Sequence, residues 1–270
     1  MEFKKAVTQL LHEVREQKPL VHHITNYVTV NDCANIVLAL GGSPVMADDK
    51  NEVEEMVAIA SALVINIGTL NSRTIESMIL AGRQANKLGI PVILDPVGIG
   101  ATQLRTKTAQ EIIQEVKISV LRGNMSEVKV LSGLAAKTRG VDSGDDLQGG
   151  REIALNLAQK LNCTVAVTGA KDIISDGIKT AFIENGHPML AKVTGTGCMA
   201  TSLVGTYCGV TKDYFLAAVA GIMTMGLAGE KAYQALRGQD GIGTFKEKLF
   251  DYIFNLSPDE MMEGAKLDVQ

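Results

Sequence analysis

Four short runs of apolar residues recur along the first two-thirds of the chain, and each of them ends in polar residues or glycine. Helical patterns separate these runs, at about 72–88, 106–115 and 145–161. Strands that are apolar throughout are typical of parallel sheets covered by helices on both faces. The sequence therefore predicts an α/β protein with a mostly parallel central sheet. The four predicted strands are Leu63–Gly68, Pro91–Pro96, Ile118–Asn124 and Cys163–Gly169.

The polar groups at the ends of these strands are expected to meet. In open α/β sheets the carboxyl ends of parallel strands form one rim, and ligands bind in the crevice outside it. The four strand ends are far apart in sequence, so their convergence on one rim predicts a binding or catalytic site there. The residues concerned are Asn66 and Gly68, Asp95, Arg122 and Asn124, and Thr168 and Gly169.

The segment Gly195-Thr196-Gly197-Cys198 places two glycines just before a run, Met199–Tyr207, that is compatible with a helix. The first N–H groups of a helix have no intrahelical acceptor, and the helix dipole adds positive charge at the same place. Such a turn binds anions, phosphate above all, so we predict a phosphate or oxyanion site here. A glycine turn needed only for tight packing is the alternative.

Cys198 stands at the start of this predicted helix, where the pKa of a thiol tends to fall. A covalent nucleophile needs a nearby base, usually histidine, and no histidine lies close in sequence. A thiolate base would instead accept the proton of an acceptor hydroxyl. The residues alone leave Cys198 open as a nucleophile, a base or a tolerated occupant.

The same segment also satisfies G-x-G-x-x-A, the pattern of dinucleotide-binding loops. An apolar helix follows it, whereas such a site needs a strand ending in an acidic residue that holds the ribose. The sequence therefore disfavours NAD(P) binding.

Two acidic residues near the predicted rim have the chemistry of a magnesium site. Asp95 ends its strand, and Glu127 lies three residues after Asn124, on the same face if a helix begins there. Mg²⁺ favours a few carboxylates together with waters and substrate phosphates. Arg122 and Thr168 can meet nucleotide phosphates through N–H donors and a hydroxyl. Each of these residues also has an ordinary structural alternative, as a turn cap, a helix start or a surface position.

Composition excludes several classes of function. The formal net charge is −4 without a basic stripe, which argues against a nucleic-acid partner. Cys33, Cys163, Cys198 and Cys208 show no paired or metal-binding spacing, which predicts reduced thiols in a cytoplasmic protein. The N-terminus lacks a secretory signal pattern. The most apolar run, 214–229, predicts a buried core helix and no membrane span. Without a linker or repeat, we expect one domain over residues 1–270.

The remaining local predictions concern caps, hairpins and histidines. Ser72 is the predicted N-cap of the helix at 72–88, and Gly89 ends it. His22 and His23 should point to opposite faces of an extended segment, with structural roles. Short antiparallel strands are expected at Ile173–Ser175, Thr180–Glu184 and Pro188–Val193, joined by turns at Asp176-Gly177 and Asn185-Gly186.

Six segments in order over most of the chain resemble the hydroxyethylthiazole kinase family of the ribokinase-like superfamily. They are Val21–Val28, Leu40–Ala47, Ile65–Leu70, Pro91–Gly100, Arg122–Asn124 with Glu127, and Val193–Cys198. The resemblance implies a three-layer α/β/α fold and ATP-dependent, magnesium-dependent phosphorylation of the alcohol of 4-methyl-5-(2-hydroxyethyl)thiazole in thiamine salvage. It also implies a homotrimer with substrate sites near subunit boundaries.

The resemblance assigns a role to each candidate residue. Gly195, Gly197 and Cys198 form the anion hole and catalytic turn; Met46, Asn26 and Gly195 belong to the thiazole site; Arg122 and Thr168 contact ATP; Asp95 and Glu127 belong to the metal region. Many sugar kinases of the superfamily carry an aspartate base at the position of Cys198, so Cys198 is a weak base or a positioner under this reading. Thr196 stands where alanine is usual and adds a hydroxyl.

Three rival functions remain at this point. A ribokinase-like kinase for hydroxymethylpyrimidine, pyridoxal or a sugar would use the same fold, although the residues around Asn26 and Met46 favour thiazole. A cysteine-dependent hydrolase or acyltransferase would need a histidine beside Cys198. A nucleotide-binding regulator would not depend on Asp95, Glu127 or Cys198 for chemistry.

Overall fold

The computed structural model describes residues 2–134 and 147–270. Strands and helices alternate as the apolar runs predict. The strands are β1 Leu20–Ile24, β2 Ser43–Val45, β3 Ala62–Asn66, β4 Val92–Asp95, β5 Val120–Asn124, β6 Thr164–Thr168, β7 Asp172–Ser175, β8 Thr180–Ile183 and β9 Leu267–Val269. The α-helices are α1 Glu2–Gln17, α2 Val30–Leu40, α3 Val53–Ala58, α4 Ser72–Leu88, α5 Gln103–Glu115, α6 Met125–Leu131, α7 Leu147–Leu161, α8 Thr196–Cys208, α9 Tyr214–Gln234, α10 Ile242–Asn255 and α11 Pro258–Gly264.

The strands form one sheet in the order β2-β1-β3-β4-β5-β6-β7-β8-β9. Strands β1 to β6 pair in parallel, and β6 to β9 pair antiparallel. Parallel pairing requires a crossover between strands, which the intervening helices supply. The predicted α/β class with a mostly parallel sheet is confirmed.

Helices cover both faces of the sheet and enclose two apolar cores. Val64 points into the core shared with α1, α2, α8, α9 and α10, whereas its neighbour Ile65 points into the core shared with α3, α4, α5 and α7. This alternation of successive side chains is what makes the strand apolar throughout. The three layers are therefore helices, sheet and helices.

Helix α9 lies in the first of these cores, as predicted for the apolar run at 214–229. By length and composition it is long and apolar enough to cross a membrane, yet 83% of its apolar window is buried inside the protein. Its packing partners include α8, α10 and strands β5 to β8. The apolar composition therefore reflects burial in the protein core.

Two of the local predictions are confirmed. Gly89 ends α4 in the left-handed conformation, with φ 69°. The hairpin at Asp176-Gly177 joins β7 to β8, and Gly177 has φ 88°. The start of α7, predicted at about 145, falls on residues outside the described part of the chain.

Three other local predictions are wrong. The N-cap of α4 is Asn71, whose side chain accepts from the Thr74 N–H while the Thr74 hydroxyl accepts from the Asn71 N–H. The segment predicted as a strand at 188–193 forms a 3-10 helix over Pro188–Lys192. The edge of β8 pairs instead with β9, which comes from the end of the chain. Asn185-Gly186 therefore leads into a helix and makes no hairpin.

Candidate active site

The site lies where the direction of the sheet order reverses. Strand β1 is flanked by β2 on one side and β3 on the other, so the chain winds outward in both directions from the β1–β3 pair. In such sheets the crevice at the carboxyl ends of that pair is the usual ligand site. Asn26, just after β1, donates from Nδ2 to Oδ1 of Asn66, at the end of β3, over 3.0 Å. The two amides thus bridge the crevice.

Cys198 lies directly over this pair of amides. Its Sγ accepts from Nδ2 of Asn26 at 3.3 Å and from Nδ2 of Asn66 at 3.2 Å. Burial raises the pKa of the thiol, and the nearby Asp95 carboxylate raises it further. The expected lowering at a helix start is therefore wrong: desolvation and a like charge outweigh the helix dipole and the amide donors. Cys198 is a neutral thiol at neutral pH.

Asp95 lies at the floor of the site and is fully buried. Its Oδ2 accepts from Nδ2 of Asn66 at 3.0 Å and from the Thr201 hydroxyl at 2.7 Å, and the Arg122 Nη1 lies 3.7 Å away. Burial raises its pKa to about 6, against the lowering effect of Arg122. Its Oδ1 is buried without a hydrogen-bond partner among the described residues. A buried carboxylate oxygen left in this way is suited to a cation or a bound donor.

Glu127 closes the cap of helix α6. Asn124 is the N-cap of α6, and the two residues exchange side-chain bonds with each other's backbone N–H groups. The second carboxylate oxygen, Oε1, accepts from the Gly98 N–H at 2.8 Å. The charge of Glu127 acts on Asp95, so the two acids are close enough to interact. Each carboxylate oxygen of Glu127 keeps a lone pair for a water or a cation.

The turn before α8 has the conformation that the two glycines predict. Gly195 is the N-cap of α8 with φ 90°, and a Cβ there would lie 2.6 Å from the Thr29 side chain. A Cβ on Gly197 would lie 2.8 Å from Nη1 of Arg122. The Thr196 hydroxyl donates to the Leu190 carbonyl at 2.9 Å and so ties the turn to the preceding 3-10 helix. The start of α8 therefore faces the Arg122 guanidinium without an intervening side chain.

Beside this turn opens a pocket of about 500 Å³. We call it the Arg122 pocket. Arg122, Thr168 and Gly197 lie at one part of its wall, and the Arg122 Nη2 donates to the Thr168 hydroxyl. The apolar side chains Ile222 and Met225 of α9 line it too. It therefore combines cationic and N–H groups with an apolar surface.

The strand ends converge as predicted, with one exception. Contacts run from Asn66 to Asp95, from Asp95 to Arg122 and from Arg122 to Thr168. The exception is the side chain of Asn124, which caps α6 although its backbone lies opposite Thr168 in the sheet. Met46 follows β2, on the far side of β1 from β3, and is half-buried.

Sequence reasoning missed two residues that shape the site, Arg105 and Thr201. Asn66 is predicted at the rim, but its bonds to Asn26 and Cys198 are not. Thr201, one helical turn after Gly197, bonds to Asp95. Arg105 donates to the carbonyls of Ile67, Gly68 and Val97 and so joins the loops after β3 and β4. The i, i+4 spacing of Gly197 and Thr201 was the signal available for finding Thr201.

The adjacent histidines point to opposite faces, as predicted. Nε2 of His22 contacts the Ala47 carbonyl at 2.7 Å, and Nε2 of His23 contacts the Ser202 hydroxyl at 3.1 Å. Burial lowers the pKa of His23 to about 4, so it is neutral. Both rings are bonded within the fold, in line with structural roles.

The comparisons with known proteins agree with this geometry. The profile of the hydroxyethylthiazole kinase family matches residues 11–259. The chain is 58% identical over 269 residues to a hydroxyethylthiazole kinase of Alkaliphilus oremlandii, covering 99% of both chains. It is 54% identical to one of Ruminiclostridium cellulolyticum, covering 99% of this chain and 98% of the other.

Solved structures give the same result for the fold. The hydroxyethylthiazole kinase protein of Pyrococcus horikoshii OT3 superposes with a TM-score of 0.90 at 41% identity, over 100% of both chains. A pyridoxal kinase of Staphylococcus aureus shares the fold with a TM-score of 0.61 at 15% identity, over 79% of this chain and 88% of that one. The ribokinase-like architecture is thus confirmed, and the chain belongs to the hydroxyethylthiazole kinase family.

Proposed function

We propose that this protein transfers the γ-phosphoryl group of ATP to the hydroxyethyl group of 4-methyl-5-(2-hydroxyethyl)thiazole, giving the thiazole phosphate and ADP in thiamine salvage. The observation that carries the proposal is the start of α8, where Gly197 faces the Arg122 guanidinium between the Arg122 pocket and the Asn26–Asn66 crevice. The pocket takes the nucleotide, and the crevice takes the alcohol. Relatives with the thiazole kinase name are more than 50% identical over nearly the whole chain, whereas the pyridoxal kinase shares only the fold.

Phosphoryl transfer depends on positioning and charge neutralisation. The N–H groups at Gly195–Cys198 bind the oxygens of the transferring group. Arg122 neutralises charge on the same group, held in place by Asp95 and Thr168. Asn26 and Met46, with the Gly195 backbone, position the thiazole alcohol for attack.

Asp95 and Glu127 are the residues that would hold Mg²⁺. The unpartnered Oδ1 of Asp95 and the spare lone pairs of Glu127 fit a hard cation that keeps several waters. When bound, the metal neutralises charge on the nucleotide phosphates.

Cys198 acts as a positioner in this proposal. Its raised pKa leaves almost no thiolate at neutral pH. Two amides fix the sulfur over the crevice, where it contacts the acceptor alcohol. A loose transition state makes little demand on a base until late in the reaction.

The homotrimer implied by the family is part of the proposal, as is a cytoplasmic location. Tyr27 and Val28 follow Asn26 directly, and their side chains are 78% and 58% exposed. Large apolar side chains beside a substrate site are suited to contact with a neighbouring subunit. A site near a subunit boundary would cover them.

A coupled assay of ADP release tests the function. Purified protein is given ATP, Mg²⁺ and, in parallel, the thiazole alcohol, hydroxymethylpyrimidine, pyridoxal or ribose. We expect ADP release with the thiazole alcohol and little with the others. Turnover with pyridoxal alone would contradict the substrate, and no turnover with any alcohol would contradict the kinase activity.

A further inference from the structure

Asp172 is a buried carboxyl on the wall of the Arg122 pocket that the reaction described above does not use. It begins β7, after the turn Gly169–Lys171 that follows β6. Its side chain is 8% exposed, and it lines the pocket together with Gly169 and Ala170. A carboxylate beside a site for a triphosphate requires explanation, because it repels the phosphates.

The contacts of the rim place Asp172 away from the phosphoryl-transfer centre. Asp95 contacts Arg122, Arg122 bonds to Thr168, and Thr168 is followed by Gly169, whose N–H donates to Oδ1 of Asp172 at 2.9 Å. Arg122 and Thr168 are the groups that meet phosphate. Asp172 therefore comes one step after the phosphate-binding groups in this series of contacts, and the charge of Arg122 reaches it.

Asp172 has fewer donors than a buried carboxylate needs. The Gly169 N–H is the one hydrogen-bond donor to its side chain among the described residues. Burial raises its pKa to about 7, although the Gly169 bond and the charge of Arg122 oppose the shift. A desolvated carboxylate of this kind is stabilised by any ligand that brings hydroxyl or N–H donors to it.

We propose that Asp172 accepts hydrogen bonds from the ribose hydroxyls of the nucleotide. This inference rests on the proposed function, since it takes the Arg122 pocket as the ATP site. In ATP the ribose directly follows the phosphates, so its hydroxyls are the first donors beyond Arg122 and Thr168. A carboxylate is a usual partner of ribose hydroxyls in nucleotide sites. The apolar surface of Ile222 and Met225 is left for the base.

The test combines an Asp172→Asn variant with two nucleotide analogues. Asn keeps an oxygen for the Gly169 N–H but removes the charged acceptor. KM and kcat are measured for ATP, 2′-deoxyATP and 3′-deoxyATP with the thiazole alcohol. In the unsubstituted enzyme we expect at least one analogue to raise KM about tenfold or more, as the loss of a hydrogen bond to a charged group does. Asp172→Asn should raise KM for ATP by a similar factor, with little change in kcat.

The effects of Asp172→Asn and of the deoxy analogue on KM should not be additive. If Asp172 and the ribose hydroxyl form one interaction, Asp172→Asn is expected to remove most of the discrimination against that analogue. Glu184→Gln is the matched control, because Glu184 is an exposed acid paired with the neighbouring Lys171 and does not line the pocket. It should leave all three KM values within about twofold.

Two results would overturn the inference. The first is that the unsubstituted enzyme has the same KM for both deoxy analogues as for ATP. This measurement needs no variant. Alternatively, Asp172→Asn could weaken ATP and both analogues equally, which would assign Asp172 to the Gly169 turn or to Arg122. Failure of the proposed function looks different, since no nucleotide would then support phosphorylation of the thiazole alcohol.

Discussion

At the scale of single residues, the amide of Asn66 connects the two halves of the site. Its Oδ1 accepts from Asn26, while its Nδ2 lies within hydrogen-bond distance of both the Asp95 carboxylate and the Cys198 sulfur. Because one nitrogen reaches both, the sulfur and the carboxylate cannot move independently. Burial and the charge of Asp95 raise the pKa of the Cys198 thiol, and the hydrogen bond from Asn66 opposes the shift without reversing it.

Replacement of Cys198 tests whether its thiol is a positioner. Cys198→Ala is expected to lower kcat by about tenfold or less, well below the 10²–10⁴-fold that general base catalysis contributes. The measurement is kcat between pH 6 and 9 for both proteins. Since its raised pKa leaves thiolate only at alkaline pH, a thiolate base would give a rate that rises with pH, and Cys198→Ala would abolish that rise. We expect both profiles to have the same shape.

Cys163→Ala is the matched control, since Cys163 is also a free cysteine but is buried just before β6, away from the carboxyl ends of the strands. It should leave kcat unchanged. A phosphocysteine isolated from the unsubstituted enzyme, together with complete loss of turnover in Cys198→Ala, would show instead that the thiol is a covalent acceptor.

At the scale of elements, the start of α6 serves two purposes. Asn124 and Glu127 hold the first turn of the helix, and the Glu127 carboxylate also fixes the loop after β4 through the Gly98 N–H. Asn124 and Glu127 therefore have the structural role at a helix start that the sequence also allowed. The metal role that we propose would be an additional requirement on the same carboxylate, so the two roles have to be separated by experiment.

Glu127→Gln and Asn124→Ala separate them. Asn124→Ala removes the acceptor for the Glu127 N–H, and Glu127→Gln leaves one oxygen where the carboxylate has two, so it cannot serve both the Asn124 and the Gly98 N–H groups. Each variant should lower the free energy of unfolding by about 1 kcal/mol in urea without Mg²⁺. Only Glu127→Gln removes a carboxylate, so only this variant should raise the Mg²⁺ concentration for half-maximal activity, by about tenfold. Equal Mg²⁺ requirements in the two variants would restrict Glu127 to capping.

Some elements of the fold can be predicted from local sequence patterns, and others cannot. Buried parallel strands and the glycines of the α8 turn are local signals, so the sheet, the rim and the turn itself could be predicted, whereas anion binding at the turn stays a prediction. The segment Pro188–Lys192 could not, since its conformation depends on distant partners. Asn185 bonds to Glu230 and to the Gly264 carbonyl, and β9 takes the edge of β8. The contact between Asn26 and Asn66 likewise depends on β1 lying beside β3, a neighbour relation that no local pattern contains.

At the scale of the whole molecule, the sheet brings together residues from both ends of the chain. The crevice is formed by the ends of β1 and β3, its floor by the end of β4, and one wall by the start of α8. The Arg122 pocket and the Asn26–Asn66 crevice meet at that helix start. The central claim is that phosphoryl transfer takes place at this junction.

The most direct test follows a γ-labelled phosphate from ATP to the thiazole alcohol in the unsubstituted enzyme and in Gly197→Ala. A Cβ at Gly197 would lie 2.8 Å from Nη1 of Arg122, in the space assigned to the transferring group. Gly243→Ala is the control, because Gly243 is likewise the second residue of a helix and a Cβ there meets no atom within 4 Å. We expect labelled thiazole phosphate from the enzyme and from Gly243→Ala, and a rate lower by about a hundredfold or more in Gly197→Ala with folding retained. An undiminished rate in Gly197→Ala, or label that remains on the protein, would contradict the account.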